Sequence, residues 1–465
     1  MDKKILGLAV LIILIFAGGC LQNSGSDMQE KLVVSPNGRF IQYNDGRPFF
    51  WLGDTGWLLL KKLSREEAEL YLENRRQNGF NIVQIMVIHD LKEPVNYYGD
   101  SAVVNRDISL PLETSGIDFE EPNAYDYWDH LDYVVQIANE KGLYIAMVPI
   151  WGSNVTEGDI SVEQATAYGS WLGNRYKNSK NIIWLNGGDK RGDSKQEVWL
   201  ALGNSINNAD PNHLITFHPF GRTQSSTWFH NADWLDFNMF QSGHRRYDQD
   251  DSEKAFGQDN YKYVREDYLL TPVKPTIDGE PSYELIPQGL HDTLQPKWNE
   301  NDMRRYAYWS VIEGAFGHTY GHNSVMQFLK EGEAPGAYGA RLPWQPALMA
   351  DGAVQMKFLK ELILSRPFFE RVPNSKLVEK RQGMYYDFLA ATSGNKYAFV
   401  YTYNGRNFTV QMGMLEGEKV KAGWFDPRTG ETTTIGEFAN EDEVLFDPPG
   451  EKSEGNDWVL VLDAF

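Results

Sequence analysis

Pro275-Thr276-Ile277-Asp278-Gly279-Glu280-Pro281-Ser282-Tyr283-Glu284 is the stretch on which the reading of this chain turns. The β-branched Val273, Thr276 and Ile277 suit a short buried strand, Gly279 lets the backbone turn, and Pro281 ends pairing immediately after Glu280. A carboxylate delivered at the end of an apolar strand packs poorly. It is well placed for chemistry if the strand belongs to a parallel barrel, whose sites gather at the strand C-termini. Asn181–Asp189 (N-I-I-W-L-N-G-G-D) repeats the design: Asn181–Leu185 read as a strand, and Asp189 sits just past a Gly-Gly turn. The two carboxylates are about 90 residues apart.

Outward from these two strands the chain alternates strand and helix. Apolar runs at Phe49–Gly53, Asn81–Ile88, Leu143–Ile150, Leu214–Phe217, Asp236–Gln241 and Gly317–Tyr320 bring the strands to eight. Helical spacing fills Tyr125–Lys141, Ser161–Lys177, Lys195–Asn208, Tyr261–Leu269, Met303–Glu313 and Gly352–Ser365, and Ser64 with Glu67 forms a capping box for a helix through Asn78. The pattern is a (β/α)8 TIM barrel. A hairpin of Leu32–Val34 and Phe40–Tyr43 precedes it, and a long Pro-, Gly- and Asp-rich loop over residues 91–122 has the length of a pocket-shaping segment. From Arg366 helical periodicity stops. Short strands at Met384–Ala390, Lys396–Tyr403, Thr409–Gln411, Lys419–Phe425 and Trp458–Leu462 predict a small antiparallel β-sandwich. The expected division is a barrel with its hairpin over residues 31–365 and the β-domain over 366–465.

The chain has 465 residues and a net charge of −20, which argues against nucleic acid or an anionic membrane surface as partner. Fourteen Trp and 24 Tyr offer rings both for a core and for sugar platforms. Lys3 and Lys4 precede an apolar run, Ile5–Phe16, too short to span a bilayer but suited to a secretory signal. It leads into Ala17-Gly18-Gly19-Cys20, which resembles a bacterial lipoprotein cleavage site, and Cys20 is the only cysteine. Residues 1–20 therefore read as a signal peptide, 21–30 as a tether, and Cys20 as a lipidated N-terminus anchoring the protein in the bacterial cell envelope.

Strands four and seven of such a barrel project side chains into its mouth from opposite sides. Asp189 and Glu280 occupy those positions, as the paired carboxylates of glycosidic-bond hydrolysis would. Asp54, Trp57, His89, Trp151, Asn186, His218, Gln241 and His318 also fall at strand C-termini, where a sugar's hydroxyls and apolar face would be met. Glu284 lies a turn beyond the strand and reads as a residue that orients neighbours. His318 and His322 share an H-x3-H spacing but span strand and loop, so no metal is assigned, and no cofactor is called for.

The motifs Asn37–Trp57 (N-G-R-F-I-Q-Y-N-D-G-R-P-F-F-W-L-G-D-T-G-W), Asn186–Asp189 (N-G-G-D) and Asp278–Glu284 (D-G-E-P-S-Y-E) resemble those of the apiosidase-like glycoside hydrolases, family 140 and its wider barrel family. The tail, with Trp424–Gly430 (W-F-D-P-R-T-G), resembles the β-domain called collagen-binding in such proteins. The resemblance implies that Asp189 is the acid/base and Glu280 the nucleophile of a retaining glycosidase. It also implies an oligosaccharide or polysaccharide substrate of plant type, with apiose release from pectic side chains as the specific case. The competing class is a non-catalytic carbohydrate-binding surface lipoprotein, against which the presence of both carboxylates counts.

Overall fold

A computed structural model describes residues 31–121, 123–249 and 256–465. Cys20 and the signal segment lie outside the described residues. Eight parallel strands form the barrel: β1 Trp51–Thr55, β2 Ile82–Met86, β3 Tyr144–Val148, β4 Ile182–Lys190, β5 Ile215–Pro219, β6 Asn238–Gln241, β7 Thr276–Asp278 and β8 Gly317–Tyr320. Their hydrogen-bonded order is β5-β4-β3-β2-β1-β8-β7-β6, with the short strand Thr223–Gln224 antiparallel on β6. The remaining seam, β5 to β6, is closed by single bonds instead of a ladder. Asp236 N–H donates to Ile215 O at 2.9 Å, and Thr216 Oγ1 donates to Phe237 O at 2.6 Å.

Each strand is followed by a helix: α1 Arg65–Gln77, α2 Tyr127–Glu140, α3 Val162–Tyr176, α4 Gln196–Ala209, α5 Ser226–Phe229, α6 Tyr261–Tyr268, α7 Glu300–Ile312 and α8 Asp351–Leu364. Capping boxes start four of them. Ser64 with Glu67 begins α1, Asp126 with Asp129 α2, Ser161 with Gln164 α3, and Asn299 with Asp302 α7. Each cap contributes about 1 kcal/mol by satisfying helix N–H groups that have no partner within the helix. Along β4, Ile183 and Leu185 belong to the cluster that fills the barrel, whereas Ile182 and Trp184 pack outward against the helices. That two-residue alternation decides which strand-end side chains can reach the mouth. The single turn α5, absent from the sequence reading, is too short to show a helical period.

At the N-terminal ends of the strands, Leu32–Val34, Ile41–Tyr43 and Pro48–Phe49 form a small antiparallel sheet, and Phe49 meets Tyr144 edge-on at 5.4 Å. Beyond α8 comes an antiparallel sheet of six strands, in the order Val372–Pro373, Leu389–Ser393, Tyr397–Thr402, Trp458–Ala464, Lys419–Phe425 and Thr432–Ala439. Phe408–Gln411 paired with Glu443–Phe446 covers one face of it, so Val400, Leu460 and Leu462 bury Phe408, Val410 and Phe446. The other face turns Phe399, Tyr401 and Val461 into the barrel's cluster. The strand expected over Met384–Ala390 starts only at Leu389, because Tyr385–Asp387 wind into a 3-10 turn.

Candidate active site

The β4 ending is built by two glycines. Gly187 and Gly188 have φ of +94° and +102°, and a Cβ on Gly188 would fall 2.9 Å from the Trp151 ring and 3.0 Å from Gly152 N. The ladder to β5 shifts register between Gly187 and Lys190, and Asp189 itself takes φ +54°. Left-handed backbone at a non-glycine residue is costly, and such strain clusters at functional sites. The β7 ending works differently. Gly279 does not adopt positive φ; it is small because a Cβ there would stand 2.4 Å from Met239 Sδ. Asp278 accepts from Ser242 Oγ at 2.7 Å and Asn260 Nδ2 at 3.0 Å, and Ser282 Oγ donates to Gly243 O. These bonds tie the turn after β6 to the turn that carries Glu280.

Asp189 and Glu280 face one cavity of about 390 Å³ at the C-terminal mouth. His218, at the end of β5, joins them. The Asp189 backbone N–H donates to His218 Nδ1 at 3.4 Å, which leaves the proton on Nε2, and Nε2 lies 3.2 Å from Glu280 Oε2. The second contact falls outside hydrogen-bond geometry. His244 Nε2 approaches the other oxygen, Oε1, at 3.4 Å. Trp57 Nε1 donates to the Tyr283 hydroxyl at 3.1 Å. Trp57, Trp151 and His218 pack ring against ring at 5.3–6.2 Å, and His244 meets Tyr283 edge-on at 5.0 Å.

The surroundings drive the two acidities apart. Burial, followed by the charge of Glu280, pushes Asp189 up to about 6. Burial also acts upward on Glu280, but the His218 and His244 imidazoles beside its two oxygens outweigh it and hold Glu280 down at about 2. Between those values one carboxyl is protonated while the other is ionised. Two acids separated in this way can serve, one as a proton donor and the other as an anion.

The strand-end candidates divide by the direction of their side chains. Trp57, His89, Trp151 and Gln241 line the cavity. Gln241 is 4% exposed and its Oε1 has no hydrogen-bond partner in the protein, nor has Nδ1 of His89. His218 is buried behind the wall and serves the carboxylates. Three residues are corrected. Asp54 points outward, accepting from Tyr71 at 2.6 Å and pairing with Arg75 at 3.4 Å. Asn186 turns to α4 and donates to Trp199 O at 2.8 Å, as the alternation along β4 requires. His318 is buried off the cavity, and burial pulls it down to about 3. Glu284 accepts from the Tyr320 hydroxyl at 2.5 Å and from Gly352 N at 3.5 Å, so it anchors the start of α8 away from the cavity. His244 and Tyr283 were not foreseen. The signal for His244 was a third strand-end glycine turn, Gln241-Ser242-Gly243-His244. Among the described residues, no group of three or more His, Cys, Asp or Glu side chains is arranged to hold a metal ion.

A (β/α)8 barrel with two carboxyls facing one aromatic-walled cavity at the ends of β4 and β7 fits a glycoside hydrolase. The chain belongs to the apiosidase-like family: the model of the "Apiosidase-like, catalytic domain" matches residues 35–370, and that of the "Putative collagen-binding domain of a collagenase" matches 372–463. A solved glycoside hydrolase is 48% identical over 94% of this chain and 97% of its own, with a TM-score of 0.88. A glycoside hydrolase family 5 structure from Bacteroides vulgatus is 45% identical over 94% of each chain, with a TM-score of 0.87. No curated protein matches the chain.

Proposed function

We propose that this glycoside hydrolase acts with retention on plant-type oligosaccharides, releasing apiose from pectic side chains. Glu280 attacks the anomeric carbon while Asp189 gives its proton to the departing oxygen, so the glycosidic bond breaks as a glycosyl ester forms. Asp189, now ionised, takes a proton from water, which attacks the ester and restores both carboxyls. The observation that carries this reading is that Asp189 and Glu280, at the ends of β4 and β7, face one cavity with His218 in contact with both. Gln241 and His89, with polar atoms unpartnered in the cavity wall, supply hydrogen bonds to sugar hydroxyls, and Trp57 and Trp151 supply the apolar face.

Leaving-group dependence tests the roles. Asp189→Ala is expected to lose about 10²–10⁴-fold on a natural glycoside. The first step on an aryl glycoside with an acidic phenol suffers far less, because the phenolate leaves unaided. The intermediate then accumulates, and azide restores turnover. Equal loss on both substrates without azide rescue contradicts the assignment. The reading also sets the enzyme at the cell envelope through a lipidated Cys20. Cys20→Ser then frees the protein from the membrane fraction or leaves its precursor uncut; normal cleavage with unchanged membrane association rules the anchor out.

A further inference from the structure

Next to the catalytic cavity is a second one, of about 420 Å³, and His89 lines both. That volume lies within the range of roughly 300–1,000 Å³ for small-ligand sites. Its walls are the long loop after β2 and the turn after β3, and Asn154 locks them together. Asn154 Oδ1 accepts from Leu91 N, and Nδ2 donates to His89 O and Trp151 O, each at 2.9 Å. The floor is Ile108, and Gln164 at the start of α3 pins the loop by donating to Asp107 at 2.9 Å. Asn105 and Arg106 hold left-handed backbone, with φ of 52° and 61°, where the loop borders the groove.

Two cations of the groove differ from the paired arginines of the molecule. Arg175, Arg191, Arg304 and Arg366 each meet a carboxylate at 2.5–2.8 Å. Arg106 and Lys92 line the groove with no ion-pair partner among the described residues, and Asp159 lines it too. Glu157 in the same wall is already paired with Lys190 at 2.9 Å. Donor cations and acceptor carboxylates in near balance fit sugar hydroxyls, which donate and accept, better than a lone anion.

We propose that this groove is a distal subsite of the same enzyme, holding a sugar unit of the substrate chain beyond the one that is cleaved. Arg106 and Lys92 donate to its hydroxyls, Asp159 accepts from them, and His89 is the threshold between the two cavities. The inference rests on the glycosidase reading above and adds that the enzyme reads a chain and not a single sugar.

The test measures kcat/KM of the full chain on a panel of 4-nitrophenyl glycosides, the β-D-apiofuranoside included, and on pectic oligosaccharides fractionated by length. Wild type is expected to gain with length. Arg106→Ala and Lys92→Ala are each expected to lose about 10- to 100-fold on the longer oligosaccharides, the cost of a charge-assisted hydrogen bond, while staying within about twofold on the aryl glycoside. Arg106→Lys should recover part of the loss. No gain with length in wild type, or variants that fall equally on both substrates or on neither, overturns the subsite while aryl glycosidase activity leaves the main reading standing. If wild type cleaves nothing and Glu280→Gln shows no saturation-transfer signal with any fraction, both readings fall.

Discussion

Arg304, between barrel and β-domain, and Glu280, at the barrel mouth, are both buried ionised groups, and their surroundings differ. At the interface, Arg304 is satisfied on every side. It meets Asp457 through Nε and Nη2 at 2.9 and 2.8 Å, Gln355 at 2.6 Å and Asn301 at 2.8 Å, and Asp457 also accepts from Tyr401 at 3.1 Å. Around them Tyr308 stacks on Tyr401 at 4.9 Å and Tyr261 on Phe388 at 3.7 Å. At the mouth, Glu280 Oε2, His244 Nδ1, Gln241 Oε1 and His89 Nδ1 are buried without a hydrogen-bond partner in the protein. Leaving buried polar atoms unpaired costs about 1–3 kcal/mol each, and at the mouth a ligand in the cavity could complete the set. The full pairing of Arg304 serves architecture, whereas the open atoms beside Glu280 face a cavity and are free to meet a ligand.

Four changes would break or sharpen that contrast. The largest effect is expected for Glu280→Ala, which should lower kcat/KM by about 10⁴-fold or more on natural and aryl glycosides alike, with the melting temperature held or raised. Substantial aryl glycosidase activity in this variant would remove Glu280 from the nucleophile's role. Arg304→Met is the mirror case. It leaves Asp457 buried and uncompensated, so stability should fall by about 3–5 kcal/mol in denaturant titration while the folded fraction keeps its kinetic constants. A change in substrate preference instead would show that the interface takes part in the site.

Glu284 lies between the two types. Burial pushes it up to about 7, and Tyr320 and Gly352 donate to it. A carboxyl whose folded pKa is raised stabilises most when protonated, so its contribution declines as pH climbs from the ordinary carboxylate range to about 7. Glu284→Gln should flatten that slope, an effect on the order of 1–3 kcal/mol in pH-dependent unfolding, and leave kcat/KM unchanged. Lost activity would place Glu284 in the chemistry. The smallest effect concerns the pH profile. In wild type, activity should fall below about pH 2 as Glu280 protonates and above about pH 6 as Asp189 loses its proton. His218→Gln should raise the acidic limb toward the ordinary carboxylate range and cost less than about tenfold near pH 5. An unmoved acidic limb would mean that His218 does not hold Glu280 ionised.

Much of this was legible in the residues. All eight barrel strands and seven of the eight helices follow from period and capping, and Gly317–Tyr320 is a strand over the same four residues as read. Asp189 and Glu280 stood out because a charged side chain, an apolar strand and a glycine turn coincide at each. Position at a strand end was not enough for Asp54, Asn186 and His318. A barrel strand presents alternate side chains to the helices, and one residue of offset moves a polar group from mouth to wall. His244 and Tyr283 were missed because they lie in turns, where no period says which way a side chain points. In the β-domain, Thr432–Ala439 escaped because its Thr-rich, mostly exposed edge lacks apolar alternation.

The central claim is that Glu280 and Asp189 act as nucleophile and acid/base of a retaining reaction. It is tested most directly by proton NMR of the sugar released in the first moments of hydrolysis, before mutarotation. Retention of the anomeric configuration is predicted, as two carboxyls about 5–5.5 Å apart require. Release of the opposite anomer would contradict the account, because inversion needs a water between carboxyls about 6.5–9.5 Å apart and leaves Glu280 no bond to make.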